Sequence, residues 1–144
     1  MIYLDSSVLV SMHIHDVNTP AALALLRSTD EALLMSPLAE FETVNAFSLR
    51  VFRNEMQPIN RDHAVRDLDN DVQSGLLMLL PFPAGAFERA RALAQTHTPT
   101  IGVRALDLLH VAAALELGVS SLFTFDQKQH RTARAVGLKV NHLP

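Results

Sequence analysis

The chain has 144 residues, a length that suits one domain with a proper core; 49% of them are hydrophobic, which excludes a disordered chain. It has no cysteine, which excludes a disulfide scaffold and any thiolate metal site and suits a reducing cytoplasm. A net charge of −3 gives no bulk attraction for nucleic acid, so such a partner has to be argued from a site or a local patch.

"IYL" (2–4) predicts a first strand. Helix is expected over Val8 to Ile14 and again over Ala21 to Arg27, with Asn18-Thr19-Pro20 as a start signal. "ALLMS" predicts a second strand, and Pro37 then opens a helix running to about Arg53, since proline at a first helical position gives up no bond. A polar helix spans Asn60 to Ser74 and stops at Gly75. "LLMLLP" is a third strand, Ala86 to Ala94 a helix, and "THTPTIG" a loop. A very apolar helix covers Arg104 to Leu117 and ends at Gly118. "SLFTF" is a fourth strand, Gln127 to Ala135 a helix, and "LKV" a last short strand. Strands alternating with helices require crossover connections, hence a mainly parallel sheet in a three-layer α/β/α sandwich. All-apolar strands suit a sheet covered on both faces. Neither a signal-peptide pattern nor an apolar run of membrane-spanning length is present, and no boundary divides residues 1–144 into two domains.

In an open parallel sheet the functional crevice lies at the carboxyl ends of the strands. Asp5 ends the first strand and Asp126 the fourth, with no turn residue between strand and acid. Each also suits a helix N-cap. Asp107 lies among Ala105, Leu106, Leu108 and Leu109, where a carboxylate is costly unless paired, hydrogen-bonded or metal-bound, although a first-turn acid also favours the helix dipole. "SPLAEFETVNAF" offers Glu40 and Glu42; Glu42 has Asn45 on its own helical face. Carboxylates converging without cysteine make an all-oxygen site, which hard cations such as Mg²⁺ or Mn²⁺ prefer, and such ions serve phosphoryl chemistry.

"MIYLDSSVLV", "SPLAEFETVNAF", "ALDLLHVAAALELG" and "LFTFDQKQHRTARAVGLKV", in this order and over nearly the whole chain, resemble the four motifs of a PIN domain, specifically of VapC-type toxins. The resemblance implies metal-binding, catalytic acids at Asp5, Glu42, Asp107 and Asp126. Glu42 is taken over Glu40 because the family often places Asn-Ala where Asn45-Ala46 stand. No acid matches the further one that many members carry near the fourth motif. Ser7 and Thr124 match small hydroxyl positions that orient acids or waters. The resemblance further implies ribonuclease activity on an RNA substrate, a homodimer and a cognate antitoxin. An acidic cleft of this kind invites an inhibitor that inserts a cationic side chain, most naturally arginine.

His13 and His15, two apart on a helix, point to different sides and make no metal pair. His110 reads as a packed, hydrogen-bonded core histidine rather than a base. Lys128, Arg131 and Arg134 share one helix side and suit either RNA phosphates or plain solvent. No glycine-rich phosphate loop is present. Two rival readings remain: a Mg-dependent phosphohydrolase with an aspartyl nucleophile, which usually carries a second Asp where Ser7 stands, and a catalytically silent PIN-like module that only binds a partner. Apolar residues on the first helices, Val8 to Met12 and Ala21 to Leu26, are candidates for a two-fold contact.

Overall fold

The computed structural model describes residues 1–143. Five short strands, β1 (Ile2–Leu4), β2 (Leu33–Met35), β3 (Leu77–Leu79), β4 (Ser121–Phe123) and β5 (Lys139–Val140), form one parallel sheet in the order β3-β2-β1-β4-β5. The register pairs Ile2 with Leu33 on one side and with Ser121 on the other, so β1 is central. Helices α1 (Ser6–His13), α2 (Thr19–Arg27), α3 (Pro37–Phe52), α4 (Pro58–Gln73), α5 (Ala86–Ile101), α6 (Ala105–Glu116) and α7 (Gln127–Ala135) complete the chain.

The two-residue alternation of a strand divides the core. Tyr3, Leu34 and Leu122 face α5, α6 and α7, packing on Ala90, Leu108, Val111 and Ala133. Ile2, Leu4, Leu33 and Met35 face the other way, onto Val8 and Leu9 of α1, Ala39 of α3 and Leu68 of α4. The three-layer sandwich is therefore as expected.

Four expectations need correction. The first concerns 96–102, expected as a loop; α5 runs through Pro99 to Ile101. The proline forgoes one backbone bond, but packing of this helix on α6 holds it, and Gly102, at a left-handed φ of 68°, ends it with its N–H on the Thr98 carbonyl. Second, α4 begins at Pro58 rather than Asn60, again with proline in the first turn. Third, not every strand is covered on both faces: β3 lies at the sheet edge and leaves Met78 and Leu79 partly exposed. Fourth, Val8 and Leu9 are fully buried within the chain itself and offer nothing to a second copy.

No helix among the described residues is long and apolar enough to cross a membrane.

Candidate active site

Strand β1 passes into α1 without a loop because Asp5 is itself the cap. Its backbone is extended, its N–H continues the ladder to the Phe123 carbonyl, and its Oδ1 accepts the Val8 N–H at 3.1 Å. Asp126 does the same for α7, accepting the Lys128 and Gln129 N–H groups at 2.9 and 2.8 Å on Oδ1. Because β1 and β4 are parallel neighbours, both caps stand on one edge. Capping is thus real at both positions, and it occupies only one oxygen of each acid in bonds to backbone.

Two hydroxyls join these corners. Thr124 Oγ1 donates to Asp5 Oδ2 at 2.8 Å and accepts the Asp126 N–H at 2.9 Å. Ser7 Oγ donates to Asp5 Oδ1 at 2.7 Å and accepts the Phe125 N–H at 2.8 Å. Asp5 is 3% exposed. Burial raises its carboxyl pKa above the ordinary range, while His110 and the bonds from Ser7, Thr124 and Val8 pull it the other way.

Glu42 comes from α3. Its Oε2 accepts from Ser6 Oγ at 3.2 Å and pairs closely with His110 Nε2. Burial raises this carboxyl, but the bond and electrostatic pull of His110, the Ser6 hydroxyl and the Arg104 charge outweigh it, so the net shift is downward. His110 is buried, as expected of a core histidine, yet it is tied to the site rather than to the core alone. Its Nδ1 meets the Tyr3 hydroxyl at 2.9 Å, which meets Ser36 Oγ at 2.7 Å. One assignment of protons lets each member donate once: Ser36 to Tyr3, Tyr3 to His110 Nδ1, and His110 Nε2–H to Glu42. Burial drives the Tyr3 hydroxyl pKa upward, which keeps it a donor.

Asp107, in the first turn of α6, is buried and paired through Oδ2 with Arg104 Nε at 3.1 Å. The same guanidinium places a terminal nitrogen 3.6 Å from Asp126 Oδ2. Arg104 precedes α6 in an extended conformation, and its side chain is 76% exposed. The bond and charge of Asp107, then the charge of Asp126, hold it protonated.

The structure therefore links three of the acids through intermediaries, Thr124 between Asp5 and Asp126 and Arg104 between Asp126 and Asp107, while Glu42, bonded to His110 and Ser6, lies within electrostatic reach of Arg104, and its partner His110 within reach of Asp5. Among the described residues no three His, Cys, Asp or Glu side chains converge closely enough to hold an ion in this arrangement. The donor set is nevertheless oxygen only, and the Arg104 guanidinium stands in as the cation between two of the acids. Those two features fit a hard divalent ion. The roles of Arg104, and the link from His110 to Glu42, were missed in the sequence. The available signals were spacings: Arg104 precedes Asp107 by three residues and His110 follows it by three.

The remaining candidates fall outside this cluster. Side chain of His13 is buried against the Leu9 carbonyl and Asp71, whereas His15 is exposed. Lys128, Arg131 and Arg134 are exposed on α7, and the two arginines line a shallow groove with Ile101 and Ala135.

Comparison with solved structures gives the same fold at low identity. The chain is similar to the Mycobacterium tuberculosis toxin VapC20, described as cleaving the sarcin-ricin loop, with 16% identity, 96% of each chain covered and a TM-score of 0.72. It is similar to VapBC2 of Rickettsia felis, bound to a promoter DNA fragment, with 20% identity over 100% of each chain and a TM-score of 0.68. A toxin–antitoxin complex from Klebsiella pneumoniae matches at 14% identity and a TM-score of 0.65, covering 90% of this chain and 89% of that one. No curated protein matches. The PIN domain family matches residues 2–135, nearly the whole chain, and with that the chain belongs to the PIN domain family.

Proposed function

We propose that this chain is a metal-dependent RNA endonuclease, the toxin of a toxin–antitoxin pair, which hydrolyses phosphodiester bonds at Asp5, Glu42, Asp107 and Asp126. The observation that carries the reading is the edge itself: Asp5 and Asp126 cap α1 and α7 just beyond the ends of neighbouring strands, each with a second oxygen turned toward Thr124 or Arg104 rather than to backbone. Bound Mg²⁺ or Mn²⁺ would polarise the phosphate and activate a water. The chain's own part is to hold its acids in place. Asp5 is fixed by three bonds, and Glu42 is oriented by His110 and Ser6. Ser7 stands where an aspartyl phosphohydrolase usually carries its second Asp, and its hydroxyl is spent on Asp5 Oδ1 and the Phe125 N–H, which weighs against the phosphohydrolase reading.

Membership in the PIN family supports nuclease chemistry, and the likeness to a toxin and to toxin–antitoxin complexes supports the biological role. The reading includes a cognate antitoxin, a cytoplasmic location and a homodimer. Exposed Phe41, Phe52 and Ile59 supply apolar surface for protein contacts. Light scattering at micromolar concentration should give a dimer mass, and expression without the antitoxin should arrest growth. The purified chain should cut RNA with Mg²⁺ or Mn²⁺ and stop in EDTA, and Asp126→Asn should fold and be silent. Cleavage undisturbed by EDTA, or full activity of Asp126→Asn, rejects the reading.

A further inference from the structure

We propose that Arg104 is a built-in counter-cation that competes with the divalent ion for Asp107 and Asp126, and thereby sets how much metal the chain needs. The inference rests on the metal-dependent reading above.

The competition is for the same atoms. Asp126 Oδ1 is committed to the Lys128 and Gln129 N–H groups, so Oδ2 is the oxygen left for a cation, and Oδ2 is the one turned to Arg104. Asp107 likewise presents Oδ2 to Arg104 Nε. Two edges of one planar fork thus serve two acids from two different helices. Among the described residues, no other lysine or arginine is ion-paired with any of the four acids. Lys128 is near, since a Cβ on Gly102 would lie 3.6 Å from its Nζ, but its ammonium faces the α5–α6 connection.

The arginine is placed to leave. Its backbone is anchored between the left-handed Gly102 and buried Val103 on one side and the start of α6 on the other. Its side chain is mostly in water, where an ion pair is weak and release costs little. Guanidinium is not deprotonated at any ordinary pH, so raising the pH does not release the plug, whereas a stronger cation on the acids does. A divalent ion is such a competitor. Without any cation, Asp107 and Asp126 would repel across the gap.

The test is a Mn²⁺ titration of the full chain near neutral pH without RNA, followed by the electron-paramagnetic-resonance signal of free Mn²⁺, with melting in EDTA measured alongside. Arg104→Gln should bind Mn²⁺ about five-fold more tightly, the scale of one unit charge removed beside a water-exposed site. Arg104→Lys, which keeps the charge and loses the fork, should fall between. In EDTA Arg104→Gln should melt below the native chain, and Mn²⁺ should restore it. Binding by Arg104→Gln alone would also support the plug. Equal or weaker affinity in Arg104→Gln than in a native chain that binds Mn²⁺ overturns this inference and leaves the metal reading standing. Absence of binding in both overturns both.

Discussion

On the inner side of the acidic edge, Asp5 and Glu42 take their bonds from the Val8 backbone, from Ser6, Ser7 and Thr124, and from buried His110. On the outer side, Asp107 and Asp126 share one exposed arginine. The inner acids are held by groups on elements that the core fixes, the β1–α1 junction for Asp5 and helices α1 and α6 for Glu42. Asp126 is also fixed, by its cap on α7, but the charge of the outer pair is met by a side chain that can swing. One edge thus combines a rigid half that preserves geometry with a half whose charge can be exchanged. The contrast makes separate demands on stability and on activity, and substitutions can pull them apart.

The largest effect is expected at Asp5. Asp5→Asn keeps one oxygen for Val8 and Ser7. Its amide can donate to Thr124, whose hydroxyl can turn to Gln129 Oε1, 3.1 Å away. The variant should therefore fold, remain capped, and lose RNA cleavage by more than about 100-fold, beyond the loss seen when only a supporting residue is removed. Cleavage by Asp5→Asn at the native rate would reduce the inner half to a structural cap.

Next comes His110→Ala, which leaves Glu42 and the Tyr3 hydroxyl without their shared partner and opens a cavity. Stability should fall by about 2–4 kcal/mol in chemical denaturation. Cleavage by the fraction still folded should fall about 10- to 100-fold. Tyr3→Phe, which removes only the hydroxyl, should cost about 1–2 kcal/mol and less activity. Equal activity in native and His110→Ala chains would detach the histidine from the site.

The two inner acids should also give opposite pH slopes in the metal-free chain. Asp5 has a raised carboxyl pKa, so its contribution to stability is full below the ordinary value of 3.8 and is lost as pH rises through the folded value. Compared with Asp5→Asn, the native chain should therefore lose melting temperature as pH climbs above that range in EDTA. Glu42 has a lowered carboxyl pKa, so its contribution is present above the ordinary value of 4.5 and is lost as pH falls. Compared with Glu42→Gln, the native chain should lose melting temperature toward acid. Slopes of the same sign would contradict the assigned environments.

The smallest effects belong to the basic face of α7. Gln replacements at Lys128, Arg131 and Arg134 should each weaken RNA binding a few-fold at low salt and reduce the salt slope by about one, with folding unchanged. An unchanged salt slope in all three would make that face plain solvent-exposed surface.

Much of this arrangement was legible in the residues. A carboxylate directly after "IYL" and another after "SLFTF" implied one edge once the sheet was read as parallel, because parallel strands deliver their ends to the same side, although β4 stops at Phe123 and Thr124 and Phe125 lie between it and Asp126. The extension of α5 was not legible. Pro99 and its neighbouring threonines argue locally for a loop, and packing against α6 overrides them. Neither was the exposure of β3, because a continuous apolar run does not distinguish a central strand from an edge one. His110 and Glu42 meet across 68 residues, a contact that no local pattern encodes. Arg104 was hidden for another reason: an arginine ahead of a helix is ordinary surface until the position of Asp126 is known.

The most direct measurement is a crystal structure of the chain with Mn²⁺, located by its anomalous scattering. The account predicts an ion held by carboxylate oxygens of at least three of Asp5, Glu42, Asp107 and Asp126, with the Arg104 guanidinium displaced into solvent. A structure at saturating Mn²⁺ in which Arg104 still bridges Asp107 and Asp126, and no ion touches these acids, would contradict it.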